Sequence, residues 1–299
     1  MSAATLIEGL RPHFAEIRGV RLRWFEGGDG APLALLHGLG GAASNWTLVA
    51  PMLAERFRVL VPDLPGHGGS GAPPRGSDLG WQADALADLL ASRDAASAAV
   101  VGHSMGGVVG LRLAVRRPEA VSALALVETA GIASLTRSAA AFLGLSALFK
   151  PARRAARFRE RIAKHEALRR AVFGYWGAHD AGAMPPAAVH GWLESAAAHV
   201  DTRTAAKALL SDDPRYDLDR VACPTLVVWG AHDRLISVDD GFEFARRLRA
   251  PIRVVPGAGH LLIGERPAEC AAILAEWLDG IRQVDELPLD AELVGDPSR

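Results

Sequence analysis

Apolar and polar residues alternate along residues 14–25. A period of two belongs to strands with one face on a core and one toward water, so this stretch predicts a hairpin at a sheet edge. Five later runs are almost wholly apolar, broken only by Arg58, Ser122 and Thr225: residues 32–36, 57–61, 98–101, 121–127 and 225–230. Continuous apolar runs of this length predict strands buried on both faces of a parallel sheet. Residues 252–255 predict one more short strand. Helical periodicity fills most of the gaps. Residues 79–91 carry Trp81, Ala85, Leu86, Leu89 and Leu90 on one stripe, and a helix after Gly106 stops near Arg117-Pro118. Residues 239–248 and 267–281 follow the same period, with Pro267 in the first turn of the second.

Residues 132–213 break the alternation. They show helical periodicity only, interrupted at Pro151, Gly174, Gly177 and Pro185-Pro186. The pattern divides the chain into a first core segment (1–131), an all-helical insertion (132–213), a second core segment (214–285) and a tail (286–299). The tail is acidic, proline-containing and aperiodic, which predicts disorder. Residues 1–12 read as a loose leader. Strands alternating with helices imply an α/β fold, a mostly parallel sheet covered on both faces. The insertion then lies over the carboxyl edge of the sheet, where open α/β sheets bind ligands.

Composition narrows the picture little further. The 299 residues are 49% hydrophobic, enough for one large domain with a sizeable core. A net charge of −1 gives no global bias toward nucleic acid or anionic membrane. The two cysteines, Cys223 and Cys270, have neither metal-site nor disulfide spacing, which suggests a reducing, cytoplasmic setting. Residues 1–10 show no basic region followed by a long apolar run, and no stretch is long enough to span a membrane.

The candidate chemistry centres on Gly102-His103-Ser104-Met105-Gly106, between the run 98–101 and a helix. A serine between two glycines at a strand-to-helix turn sits on a sharp, strained elbow that lifts its hydroxyl clear of the sheet. The Met105 N–H then opens a helix, where it can receive negative charge.

The chain resembles the α/β-hydrolase superfamily over nearly its whole length. The resemblance rests on His37-Gly38-Leu39-Gly40, Asp63-Leu64-Pro65-Gly66-His67-Gly68, the elbow, and Gly230-Ala231-His232-Asp233 followed by Gly257-Ala258-Gly259-His260. It implies an α/β-hydrolase fold with a helical cap. It also implies Ser104 as nucleophile, Asp233 as acid and His260 as base, in the superfamily's chain order. The backbone N–H groups of Leu39 and Met105 are the implied oxyanion hole. A serine hydroxyl needs an adjacent base, and a histidine with a pKa of ~6.5 can take and return a proton near neutrality. The expected reaction is cleavage of a carboxylic ester, or a lactone or thioester, of a small to medium apolar substrate, with no cofactor and no metal. Serine at 104 argues against relatives that use a carboxylate nucleophile. Rival readings are a carbon–carbon bond (meta-cleavage product) hydrolase, a cofactor-free perhydrolase or haloperoxidase, and a slow-turnover ligand receptor. The partner is a small molecule; the oligomeric state is not readable.

Other residues have plainer readings beside the functional ones. Glu128 also ends a strand and is a rival acid, since some relatives place the acid there. Asp63, His37, His67 and His103 read as scaffold, with His103 directed away from Ser104. Nine basic and two acidic residues occupy 150–170, with Phe158 and Ile162 as an apolar stripe. That stretch is either a helix with a solvated face or a surface for an anionic membrane or ligand. Trp176, His179, His190, Trp192 and His199 lie in the insertion without zinc spacing.

Overall fold

A computed structural model describes residues 7–131, 154–175, 177–198 and 200–285. Eight strands form one sheet in the order β1-β2-β4-β3-β5-β6-β7-β8. They are β1 (Arg11–Ile17), β2 (Val20–Gly27), β3 (Pro32–Leu36), β4 (Arg58–Pro62), β5 (Ala98–His103), β6 (Val121–Val127), β7 (Thr225–Gly230) and β8 (Ile252–Val255). β1 and β2 form the antiparallel edge hairpin, β2 pairs antiparallel with β4, and the remaining pairs are parallel.

The all-apolar strands feed both faces of the sheet. Ala34, Leu36, Val100, Leu124 and Leu126 join one buried cluster with Leu86, Leu89, Val108 and Val109. Those partners lie on α2 (Leu79–Ser92) and α3 (Met105–Arg116). Leu33, Leu35, Val101, Ala125 and Val127 join the opposite cluster with Leu53, Leu274 and Leu278. These come from α1 (Val49–Ala54) and the long C-terminal α10 (Pro267–Asp285). Successive side chains of a strand point to opposite faces, so only an unbroken apolar run can supply both layers. Each fully buried leucine contributes roughly 1.5–3 kcal/mol relative to exposure. α2 starts where the Asp78 carboxylate accepts the Trp81 N–H at 2.7 Å.

Between β6 and β7 the described residues contain helices and no strand. They are α4 (Arg159–Lys164), α5 (Glu166–Phe173), α6 (Pro186–Ala197) and α7 (Thr202–Ser211). After β7 come α8 (Val238–Leu248), β8 and a one-turn helix α9 (Leu262–Glu265).

The structure departs from the sequence pattern at α1, which the sequence reading does not include, and in three other places. Residues 7–10 are not a loose leader: Ile7 and Leu10 are buried with Phe25 and Phe57, and β1 begins at Arg11. Two isolated apolar residues give no period to read, yet they cover the end of the sheet. α9 has no signal of its own, because four residues are too few to set a helical period. In the basic stretch Ile162 is buried but Phe158 is 62% exposed, so the two do not share a stripe. The 3-10 turn Ala156–Phe158 ahead of α4 turns the chain every three residues instead of 3.6 and breaks the phase. Arg154, Arg157, Arg159, Arg161 and Lys164 are exposed. Lys150, Arg153, Trp176, His199 and the tail 286–299 lie outside the described residues.

Candidate active site

The elbow between β5 and α3 places Ser104 at φ 53°, ψ −118°. A non-glycine residue at positive φ is strained, and such strain persists only where neighbours over-determine it. Here the Ser104 N–H donates to the Val127 carbonyl at 2.9 Å, and the Ser104 carbonyl accepts the Gly107 N–H at 3.0 Å. The flanking glycines answer to space. A Cβ on Gly102 would stand 2.4 Å from the Gly106 carbonyl oxygen, and one on Gly106 would stand 2.5 Å from that of Leu36. Any side chain at either position would push α3 away from the sheet.

Two loops converge on the elbow. The loop after β7 carries Asp233, whose Oδ1 accepts the N–H groups of Leu235 at 2.8 Å and Ile236 at 2.9 Å. Its Oδ2 lies 2.7 Å from Nδ1 of His260, in the loop after β8. Nε2 of His260 lies 3.2 Å from Ser104 Oγ. A carboxylate on Nδ1 selects the tautomer with its proton there, which leaves Nε2 free to accept from the serine hydroxyl. The Asp233 side chain is fully buried and that of His260 nearly so. Three residues 129 and 27 positions apart along the chain thus form one hydrogen-bonded chain.

The Met105 N–H belongs to the first turn of α3, where helical N–H groups have no intrahelical partner. The Leu39 loop is held by its neighbour. His37 Nδ1 lies 2.8 Å from the Gly38 carbonyl, and its Nε2 accepts the Leu64 N–H at 2.9 Å. Asp63 is a loop organiser. It accepts the N–H groups of Ala43 and Gly69, each at 2.7 Å, and pairs with Arg23 at 2.5 Å.

Glu128 does not reach the His260 ring nitrogens. It is fully buried at φ 47°, and its oxygens accept the Gly230 N–H at 3.2 Å and the Leu262 N–H at 3.3 Å. Burial, reinforced by the neighbouring Asp233 charge and then Glu265, raises its pKa well above the usual carboxylate range. His103 is also buried, with Nε2 donating to the His260 carbonyl at 2.9 Å. Burial and then the adjacent His260 push its pKa down to about 3, so it stays neutral near pH 7. Among the described residues, His103, Glu128 and His260 are the group whose potential metal-ligating atoms lie within 4.8 Å of one another. Each is committed to the hydrogen bonds above.

Sequence reasoning missed Glu265. It closes α9 and turns back to accept the Gly259 N–H at 2.8 Å and the N–H groups of His179 and Asp180 at 2.7 and 3.1 Å. The available signal was a single carboxylate ending the apolar run Leu261-Leu262-Ile263-Gly264. In the helical segment, Trp192 meets the His103 ring edge-on at 5.8 Å, and His179 stacks on His232 at 3.9 Å.

Comparison with known proteins agrees with this architecture. Residues 33–273 match the model of the alpha/beta hydrolase family. A dihydrolipoyllysine-residue acetyltransferase component of an acetoin cleaving system from Pseudomonas putida is 44% identical over 127 residues. That match covers 42% of this chain and 34% of the relative, so the chain spans about a third of that protein's length. A pimeloyl-[acyl-carrier protein] methyl ester esterase from Chromobacterium violaceum is 32% identical, covering 84% of this chain and 96% of the relative. A 2-hydroxymuconate semialdehyde hydrolase from a Pseudomonas species is 30% identical over 87% and 91% of the two chains. Among solved structures, a membrane phospholipase A superposes with a TM-score of 0.73 at 27% identity, covering 92% of this chain and 87% of that one. No helix among the described residues is long and apolar enough to cross a membrane. The chain has the α/β-hydrolase fold and belongs to the alpha/beta hydrolase family.

Proposed function

We propose that the protein is a serine hydrolase that cleaves a carboxylic ester of a small to medium apolar acyl group through an acyl-enzyme. The observation that carries this reading is the hydrogen-bonded path from Asp233 Oδ2 through the His260 ring to Ser104 Oγ, at 2.7 and 3.2 Å. His260 Nε2 takes the hydroxyl proton as Oγ attacks the substrate carbonyl. The N–H groups of Leu39 and Met105 receive the oxyanion, and losing one such donor typically costs about 3–4 kcal/mol of transition-state stabilisation. His260 returns the proton to the leaving alcohol, then removes one from water. The resulting hydroxide attacks the acyl-enzyme carbonyl, and the proton goes back to Oγ as the acid departs. Residues 132–213 act as the cap over this site and set substrate choice. The free thiols of Cys223 and Cys270 fit a reducing compartment, and we place the enzyme in the cytoplasm.

The likeness to an esterase over 84% of the chain supports the ester reading. The likeness to a semialdehyde hydrolase supports a second one, hydrolysis of a carbon–carbon bond beside a carbonyl with the same three residues. Multiple-turnover hydrolysis of p-nitrophenyl esters, stoichiometric fluorophosphonate labelling of Ser104, and loss of both in Ser104→Ala are the expected results. The rate should fall by roughly 10⁴-fold or more in that variant. Full esterase activity in Ser104→Ala refutes the reading. Slow ester turnover with rapid turnover of a ring-fission diketone selects the carbon–carbon reaction instead, and tight binding without turnover selects a receptor.

A further inference from the structure

Four peptide groups fix the backbone around His260, and two of them answer to the helical segment. The His260 carbonyl accepts from His103, and the Leu262 N–H donates to Glu128. Both of those partners belong to the sheet ends. The Leu261 N–H instead donates to the Gly177 carbonyl at 3.2 Å. The Gly259 N–H donates to one carboxylate oxygen of Glu265, whose other oxygen accepts from His179 and Asp180. Residues 177–180 join α5 to α6 and lie directly on the loop that carries His260. A Cβ on Gly259 would stand 2.7 Å from both the Gly177 carbonyl oxygen and the His179 nitrogen. No side chain fits between the two backbones.

Glu265 is partly buried, and burial raises its pKa against the opposing pull of its three N–H donors. A carboxylate kept in such a place at a desolvation cost is held by those donors. Its two oxygens serve different parts of the molecule, one the loop before His260 and one the helical segment. A neutral amide has one acceptor oxygen and cannot serve both.

We propose that Glu265 is a positioning residue that couples the cap loop 177–180 to the loop carrying His260, so that the seating of the cap sets the placement of the imidazole over Ser104. This rests on the reading of His260 as the base. It assigns the cap a part in the chemical step beyond shaping the pocket. Nε2 already stands 3.2 Å from Oγ, and a shift of the loop by a fraction of an ångström decides whether that hydrogen bond forms.

The test uses the full chain and p-nitrophenyl butyrate. Glu265→Gln keeps the side-chain length but turns one acceptor into a donor facing peptide N–H groups. Its kcat and its rate of phosphonylation by a fluorophosphonate should fall between about tenfold and a hundredfold, the effect of a misplaced catalytic group. KM should stay within about threefold, since no contact to the ester is removed. Gly177→Ala perturbs the same junction from the cap side, where its Cβ meets Leu261 Cδ1 at 2.9 Å and the Phe173 carbonyl oxygen at 3.1 Å. It should lower kcat in the same manner, and the double variant should lose less than the product of the single losses, because both act on one linkage. Either variant with kcat and phosphonylation within about twofold of the parent overturns the proposal, as does multiplicative loss in the double variant. If Glu265→Gln does not fold, the kcat and KM of Gly177→Ala decide. Full activity in Ser104→Ala would instead overturn the underlying reading, so the two failures are distinct.

Discussion

The ends of β6 and β7 each carry one buried carboxylate, on neighbouring strands of one sheet. Asp233, after β7, has one oxygen on two loop N–H groups and the other on the His260 ring. Glu128, after β6, has both oxygens on backbone N–H groups and none on that ring. Burial and the Asp233 charge raise the pKa of Glu128, which favours its protonated form. Glu128 therefore ties Gly230, at the end of β7, to Leu262, two residues past His260. The difference lies in the direction of the oxygens: of two buried strand-end carboxylates, Asp233 meets the imidazole and Glu128 meets backbone N–H groups.

The largest way to break this comparison is Asp233→Asn. The amide keeps the volume but permits the wrong imidazole tautomer, so kcat should fall on the order of 10⁴-fold with the fold intact. Glu128→Gln should stay within about tenfold of the parent by the same ester assay. Reversed magnitudes would move the acid role to Glu128.

Stability against pH sharpens the comparison further. The folded pKa of Glu128 is raised, so above about pH 4.5 the unfolded chain releases a proton that the folded chain keeps. Native stability is then lost as pH rises. Glu128→Gln removes that dependence and should gain on the parent by up to about 1.4 kcal/mol per pH unit above this point, measured by urea unfolding. A pH-independent difference would show that the carboxyl ionises normally.

His103 has the opposite sign, and its effect at neutral pH is the smallest. Its folded pKa of about 3 lies below the unfolded value of 6.5, so its contribution is present above pH 6.5 and is lost as pH falls toward 3. His103→Gln should flatten that acid limb. At pH 7 its own cost should be about 1–2 kcal/mol, from imperfect packing and a weakened bond to the His260 carbonyl. An unchanged acid limb would mean that the imidazole is protonated inside the fold.

Much of this arrangement is legible in the residues. β3, β6, β7 and β8 fall where the apolar runs 32–36, 121–127, 225–230 and 252–255 place them. β3, β6 and β7 are buried over most of their length, so polar residues are scarce in them and their ends show in the sequence. Ser104, Asp233 and His260 stand out because each follows a strand in a glycine-containing turn. The junctions were hidden for the opposite reason. α9 is a single turn, Phe158 slipped its stripe at a 3-10 turn, and Ile7 and Leu10 are buried through contacts with distant strands. Glu265 looks like any helix-end carboxylate until the segment 177–180 is laid over it.

The sequence by itself determined the layers, the strand order's parallel core and the residue types at each turn, because these follow from local period and local backbone sterics. Only the tertiary structure decided which carboxylate faces the imidazole, that His103 and Glu128 hold the loops beneath it, and that Glu265 joins those loops to the helical segment. Those are contacts between residues 27 to 157 positions apart, as with Asp233 and His260 or His103 and His260. Their geometry depends on how separate loops converge, and no local pattern of hydrophobic and polar residues encodes that.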